Sequence, residues 1–97
     1  MRPSYLLPEA EWDVEEASVW YERQAQLLGQ QFLDELLTTL DAIEMNPARY
    51  PRVHPDVRRA LMHRFPYAVF FVEERERIAV IAVMHGRRNP RDWKARV

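Results

Sequence analysis

Apolar residues recur at helical spacing in the first half of the chain and at strand spacing in the second. Ala10, Val14, Ala17 and Tyr21 are separated by steps of three and four, which predicts a helix from Pro8 to about Gln26 with these residues on its buried face. Pro8 suits a first helical turn, Glu9 and Glu11 complement the positive end of its dipole, and Glu11, Glu15 and Glu22 fall on the outward side. Gly29 interrupts the pattern. Phe32, Leu33, Leu36, Leu37, Leu40 and Ile43 then form a broad apolar stripe, so a second helix is expected that ends at Asn46, ahead of Pro47. The short link predicts an antiparallel helical hairpin, preceded by a short strand at Ser4 to Leu7.

Residues 47–57 contain Pro47, Pro51 and Pro55 and are expected to form an extended loop. Three strands follow, Arg58 to Arg64, Tyr67 to Glu73 and Ile78 to His85, with Glu74 to Arg77 as a hairpin turn. Connections this short imply an antiparallel meander. The expected fold is therefore α+β, a single domain over residues 1–97, with the helical hairpin on one face of a sheet. YAVFFV and IAVIAVM are apolar at odd and even positions alike, so both faces of the sheet centre require cover. The hairpin covers one. The other falls to the C-terminal segment Asn89 to Val97, to a second copy or to a partner protein, and a large apolar face favours the partner.

With 47% hydrophobic residues and 30% charged ones the chain is too apolar to be disordered and charged enough to stay in solution. Its net charge of −1 hides a division. Residues 1–48 carry two arginines against ten acids, whereas residues 49–97 carry eleven arginines and one lysine against five acids, giving −8 and +7. Thirteen of the fourteen basic residues are Arg, whose planar fork suits carboxylate and phosphate. A codon bias toward Arg explains that preference equally well, but not its concentration in one half. There is no cysteine, His54, His63 and His85 are scattered, and the two glycines, Gly29 and Gly86, make no phosphate-binding loop. No cofactor or metal is expected. The N-terminal apolar run is too short for a signal peptide or membrane span, which points to a cytoplasmic protein with no membrane partner.

The densest candidate chemistry is the run from His85 to Arg96, where the last strand leaves the sheet. A histidine among arginines could serve acid–base work on a phosphodiester. The plainer alternative pairs Arg88 with Asp13 and lets Trp93 pack. Arg58, Arg59 and Arg64, with Arg49 and Arg52, are expected to extend the same positive surface toward RNA, DNA on an enzyme, or an acidic peptide.

Several fragments fall in a telling order: the strand, a helix with Ala10, Asp13 and Trp20-Tyr21, Gly29 and then Phe32, Asn46-Pro47, Phe65-Pro66-Tyr67, and His85-x-Arg87-Arg88-x-Pro90-x-x-Trp93. Over nearly its whole length the sequence resembles the RelE/ParE toxin superfamily, in its plasmid-stabilisation branch. The resemblance implies a curved antiparallel sheet, and a type II toxin wrapped by a cognate antitoxin as a dimer or heterotetramer. It also implies one of two activities, ribosome-dependent cleavage of mRNA or poisoning of DNA gyrase. Against the nuclease pattern Arg58 and Arg87 are kept, while Ala60 stands for a lysine, Tyr67 for an arginine and Trp93 for a tyrosine. These departures favour the ParE-like, non-enzymatic toxin, with Arg58, Arg59, Arg64, Arg87, Arg88 and Arg91 as target-binding candidates. The alternatives are a rearranged nuclease drawing on Arg58, Tyr67, His85, Arg87 and Trp93, or an inactive member serving only as an interaction module.

Overall fold

The computed structural model describes residues 1–97. Strand β1 (Ser4–Leu6) leads into helices α1 (Pro8–Gln24) and α2 (Leu28–Met45), then a 3-10 turn (Pro47–Arg49), strands β2 (Arg52–His54), β3 (Val57–Leu61), β4 (Tyr67–Glu73) and β5 (Ile78–His85), and a short helix α3 (Pro90–Lys94). The five strands form one sheet in the order β1-β5-β4-β3-β2, antiparallel except for β1, which runs parallel to β5. The α+β arrangement of strand, helical hairpin and meander matches the sequence expectation, and β4 and β5 have the limits read from the sequence.

Gly29 does not break α2 but lies inside its first turn. A Cβ there would stand 2.4 Å from the Ser18 backbone oxygen, so the residue is glycine because the two helices cross at that point. Reversal of the chain falls instead on Leu27, which adopts a left-handed φ of 67°. Glu22, expected on the outward side of α1, accepts from the Leu27 and Gly29 backbone N–H groups at 2.9 and 3.0 Å and so caps the second helix. Leu37, placed by sequence in the buried stripe, is 60% exposed; Phe32, Leu36, Leu40 and Ile43 carry the packing.

Two further boundaries differ. The proline-rich stretch is not wholly a loop, because β2 forms between Pro51 and Pro55 and adds an edge strand to β3, where missing donors are tolerated. β3 ends at Leu61 rather than Arg64 because Glu35 of α2 accepts from the His63 and Arg64 backbone N–H groups at 3.1 and 2.7 Å.

Both faces of the sheet are buried. On one, Phe32, Leu36, Leu40 and Ile43 pack on Ala60, Val69, Phe71, Ile78, Val80 and Val83. On the other, Val57, Ala68, Phe70, Ile81, Ala82 and Met84 close around Trp93. The expectation that a partner supplies the second cover is therefore not met: the C-terminal segment folds back and lays Trp93 on Phe70, with ring centroids 4.7 Å apart and planes at 21°.

A bulge in β5 explains how one strand feeds both cores. Phe70 pairs with Ala82 and Phe71 with Val80, leaving Ile81 as the extra residue, so Ile81 and Ala82 both turn to the second face. Because β1 pairs only with Ile78 to Val80, the outer edge of β5 beyond that point has no strand beside it. Side chains take its place. Asp13 of α1 accepts from the Val83 N–H at 3.0 Å, and Arg96 donates to the Ile81 carbonyl at 3.0 Å while gripping Asp13 at 2.6 and 3.0 Å. The hydrogen bond to Asp13, with the charge of that carboxylate, holds Arg96 still more firmly in its charged form.

Glu73, at the end of β4, joins the N-terminus to β3 by accepting from Arg2 and, at 2.8 Å, from Arg58. The Arg2 hydrogen bond is the main reason that its carboxyl titrates below the usual range, with Arg58 adding to it. A lowered folded pKa means that the pairing stabilises the protein above roughly pH 4.3, where a free Glu is ionised, and is lost as pH falls through the folded value. Glu73→Gln is expected to cost about 1 kcal/mol at pH 7, or about 4 to 8 °C in Tm for a domain of this size. The gap from wild type should close in strong acid. Thermal melts across pH check this, and a pH-independent gap would show that the carboxylate charge is not what Arg2 and Arg58 recognise.

Candidate functional site

Where β5 leaves the sheet, its backbone is pinned before its side chains fan out. The Gly86 N–H donates to the Pro66 carbonyl at 2.8 Å, and the Arg88 N–H donates to the His85 carbonyl at 3.0 Å. Asn89 caps α3 by accepting from the Arg91 N–H at 3.0 Å, with Pro90 at the first helical position. This turn directs Arg87, Arg88 and Arg91 to solvent while Trp93 drops into the second core.

His85 lies directly across from Tyr67, with ring centroids 5.4 Å apart. Its Nδ1 accepts from the Arg87 N–H at 3.0 Å, leaving Nε2 as the nitrogen free to meet a ligand. Tyr67 is held against Tyr21 and Phe32, and burial first, then the nearby Tyr21 and Glu16, raise its pKa above the ordinary phenol value. At neutral pH its hydroxyl can therefore donate a proton but is not a general base. A cleft of about 410 Å³ opens beside this pair, lined by Trp20, Tyr21, Tyr67, His85 and Glu16 among others.

The remaining candidates do not converge. Arg58 lies on the helix-covered face near the far end of β4, opposite Phe71. Its guanidinium is committed to Glu73 and to the backbone carbonyls of Tyr50 and Ala48, at 2.8, 2.7 and 3.2 Å. Four residues of strand separate that position from the Tyr67–His85 pair, roughly 13 Å. Arg64 turns back to Gln31 of α2 at 2.8 Å and lies over the Phe65 ring. Arg88 is not the partner of Asp13; it pairs with Asp92 at 2.9 Å, and Arg96 takes Asp13. Trp93 is 6% exposed, a core residue rather than a surface one.

Arg59 and Arg88 line one pocket of the second face together with His85 and Trp93. Alternation along β3 separates them from Arg58, since successive side chains point to opposite faces: Val57, Arg59 and Leu61 share one, Arg58 and Ala60 the other. The same rule also applies to the bare sequence, and it divides what looked like one basic surface. Arg96 was missed for a different reason. Its signal is its position three residues after Trp93, which puts both on one face of the terminal turn once Trp93 packs inward. No three His, Asp or Glu side chains gather closely enough to hold a metal ion, and no helix is long and apolar enough to cross a membrane.

The family model for the ParE toxin of the type II toxin-antitoxin system parDE matches residues 5–90. Among solved structures, the fold is similar to one described as a chromosomal ParDE toxin-antitoxin system from P. aeruginosa. The superposition gives a TM-score of 0.71 at 14% identity and covers 88% of this chain and 96% of that one, a likeness of fold. No curated protein matches the chain. The family match spans α1 and α2, the sheet from Tyr5 onward and the His85 turn, and with it the chain belongs to the ParE toxin family of type II toxin-antitoxin systems.

Proposed function

We propose that this toxin acts by binding rather than by cleaving RNA, that its target is DNA gyrase, and that a cognate antitoxin neutralises it in the cytoplasm. The observation that carries this reading is the dispersal of the nuclease candidates. Arg58 is locked to Glu73 and Trp93 is buried, so neither joins Tyr67 and His85 around one reacting phosphate, and Tyr67, with its raised pKa, does not serve as the base. What remains on the surface is a rigidly based group of arginines, Arg87, Arg88 and Arg91, with Arg59 behind them. That arrangement suits recognition of an anionic surface.

The antitoxin reading draws on helix α1, whose outer side leaves Trp12 77% and Trp20 54% exposed next to Glu15 and Glu16. Large aromatic side chains at this exposure mark a contact surface. The assembly of toxin with antitoxin is proposed as a heterotetramer or a toxin dimer bearing antitoxin.

Purified toxin added in excess to a gyrase supercoiling reaction is expected to inhibit it, and Arg87→Ala with Arg91→Ala should weaken inhibition while leaving Tm unchanged, because neither side chain has a partner within the chain. Full supercoiling in the presence of the wild-type protein would overturn the reading. The competing nuclease reading rests on the Tyr67–His85 pair. It predicts codon-register cuts in mRNA from expressing cells, lost in His85→Ala.

A further inference from the structure

Arg59 differs from the other arginines that the fold draws inward. Arg2, Arg58 and Arg96 each reach a carboxylate, whereas the Arg59 side chain makes no hydrogen bond within the protein and its Nε is buried without an acceptor. A buried cationic donor with no partner is unfavourable unless something outside the chain completes it. Arg59 stands on the wall of a cavity of about 260 Å³ between β3, the end of β5 and α3. Arg88 and His85 stand on the same wall and no carboxylate does. Asp92, the partner of Arg88, lies outside it.

The rest of the wall is apolar: Leu61, Phe70, Met84 and Trp93 contribute, and Leu61 is 62% exposed at its rim. The Arg59 guanidinium on an apolar wall, with the solvent-facing Arg88 at its edge, favours a carboxylate over a phosphodiester. A carboxylate accepts the paired N–H groups of Arg in one plane and arrives on a side chain that can fill the remaining volume with carbon. A nucleic-acid backbone instead rewards a row of well-hydrated cations along an open groove. We propose that this cavity is a docking site for an acidic peptide segment of a partner protein. A Glu or Asp carboxylate of the segment bridges Arg59 and Arg88, and a neighbouring apolar side chain covers Leu61 and Trp93. Nothing in this chemistry depends on gyrase being the toxin's target.

The probes are a short blocked peptide of alternating Glu and Leu, its Gln and Leu counterpart, and a single-stranded oligonucleotide. All are titrated into the full-length protein while the arginine Nε–H resonances are followed by NMR. The acidic peptide is expected to shift the Arg59 Nε–H resonance saturably, and the Gln peptide to leave it in place. Arg59→Met should weaken the acidic peptide by about tenfold or more, as befits loss of a charge-assisted pair. Its Tm should stay at or above the wild-type value, because the guanidinium stabilises nothing inside the chain. Arg91→Met removes the same charge outside the cavity and should change affinity by less than about threefold. Arg59→Lys, which keeps the charge and the aliphatic stem, provides a folded control and should bind the acidic peptide more weakly than wild type. The proposal fails if the Arg59 resonance does not move or if the Gln peptide binds equally well. It fails also if the oligonucleotide displaces the acidic peptide with the same dependence on Arg59. Failure in gyrase inhibition leaves these outcomes unchanged, so the two readings are tested separately.

Discussion

Trp93→Ala is expected to lower the unfolding free energy by about 3 to 5 kcal/mol and, at about 4 to 8 °C per kcal/mol for a domain of this size, to lower Tm by more than about 10 °C. The reason is position rather than size alone. A five-residue helix cannot sustain itself through its own hydrogen bonds, so α3 is held by what it buries. Trp93 is the one buried residue in it, stacked on Phe70 and closing the cluster of Val57, Ile81, Ala82 and Met84. Without the indole, the second sheet face becomes an exposed apolar patch and the turn bearing Arg88 and Arg91 loses its anchor. Trp93→Phe keeps an aromatic plane over Phe70 and should lose less. Urea denaturation of the three proteins decides the matter. A Trp93→Ala variant as stable as wild type would mean that this face is covered in solution by a second copy or a partner, as the apolar pattern alone had suggested.

That face also shows where sequence reading works and where it stops. The ends of β4 and β5 were legible because an unbroken apolar run is bounded by Glu73-Glu74 on one side and Arg75-Glu76-Arg77 on the other, and both the pattern and the turn are local. The need for cover on both faces was legible for the same reason. What supplies the cover was not, since Trp93 is a lone aromatic in a polar run and its burial depends on a contact with Phe70, twenty-three positions away. Gly29 has the same character: its role is set by Ser18 on the other helix, which no local pattern contains. The basic surface was over-read because charge was summed along the chain instead of divided by strand alternation, which sends Arg58 and Arg59 to opposite faces. The Tyr67–His85 pair follows directly once β4 and β5 are in register, whereas the partnership of Asp13 with Arg96 follows only from the bulge at Ile81.

Asp13→Ala is expected to cost about 3 kcal/mol, because it strands a guanidinium that is only 20% exposed and leaves the Val83 N–H without an acceptor. Arg96→Ala should cost less. It removes the donor to the Ile81 carbonyl but leaves Asp13 still accepting from Val83. Since the two side chains replace one missing strand partner between them, their effects should not add, and a double-mutant cycle is expected to return a coupling of at least about 1.5 kcal/mol. Asp13→Asn separates charge from geometry, as its amide oxygen can still accept from Val83 while the attraction for Arg96 is lost. Additive single-mutant costs would mean that Arg96 merely rests on the surface and that the bulge is held by backbone pairing with β4 alone. Strong coupling would instead tie the first helix to the last residues through the outer edge of β5. In that case the positions of Arg88 and Arg91, and any activity that depends on them, should weaken in the Asp13 variants.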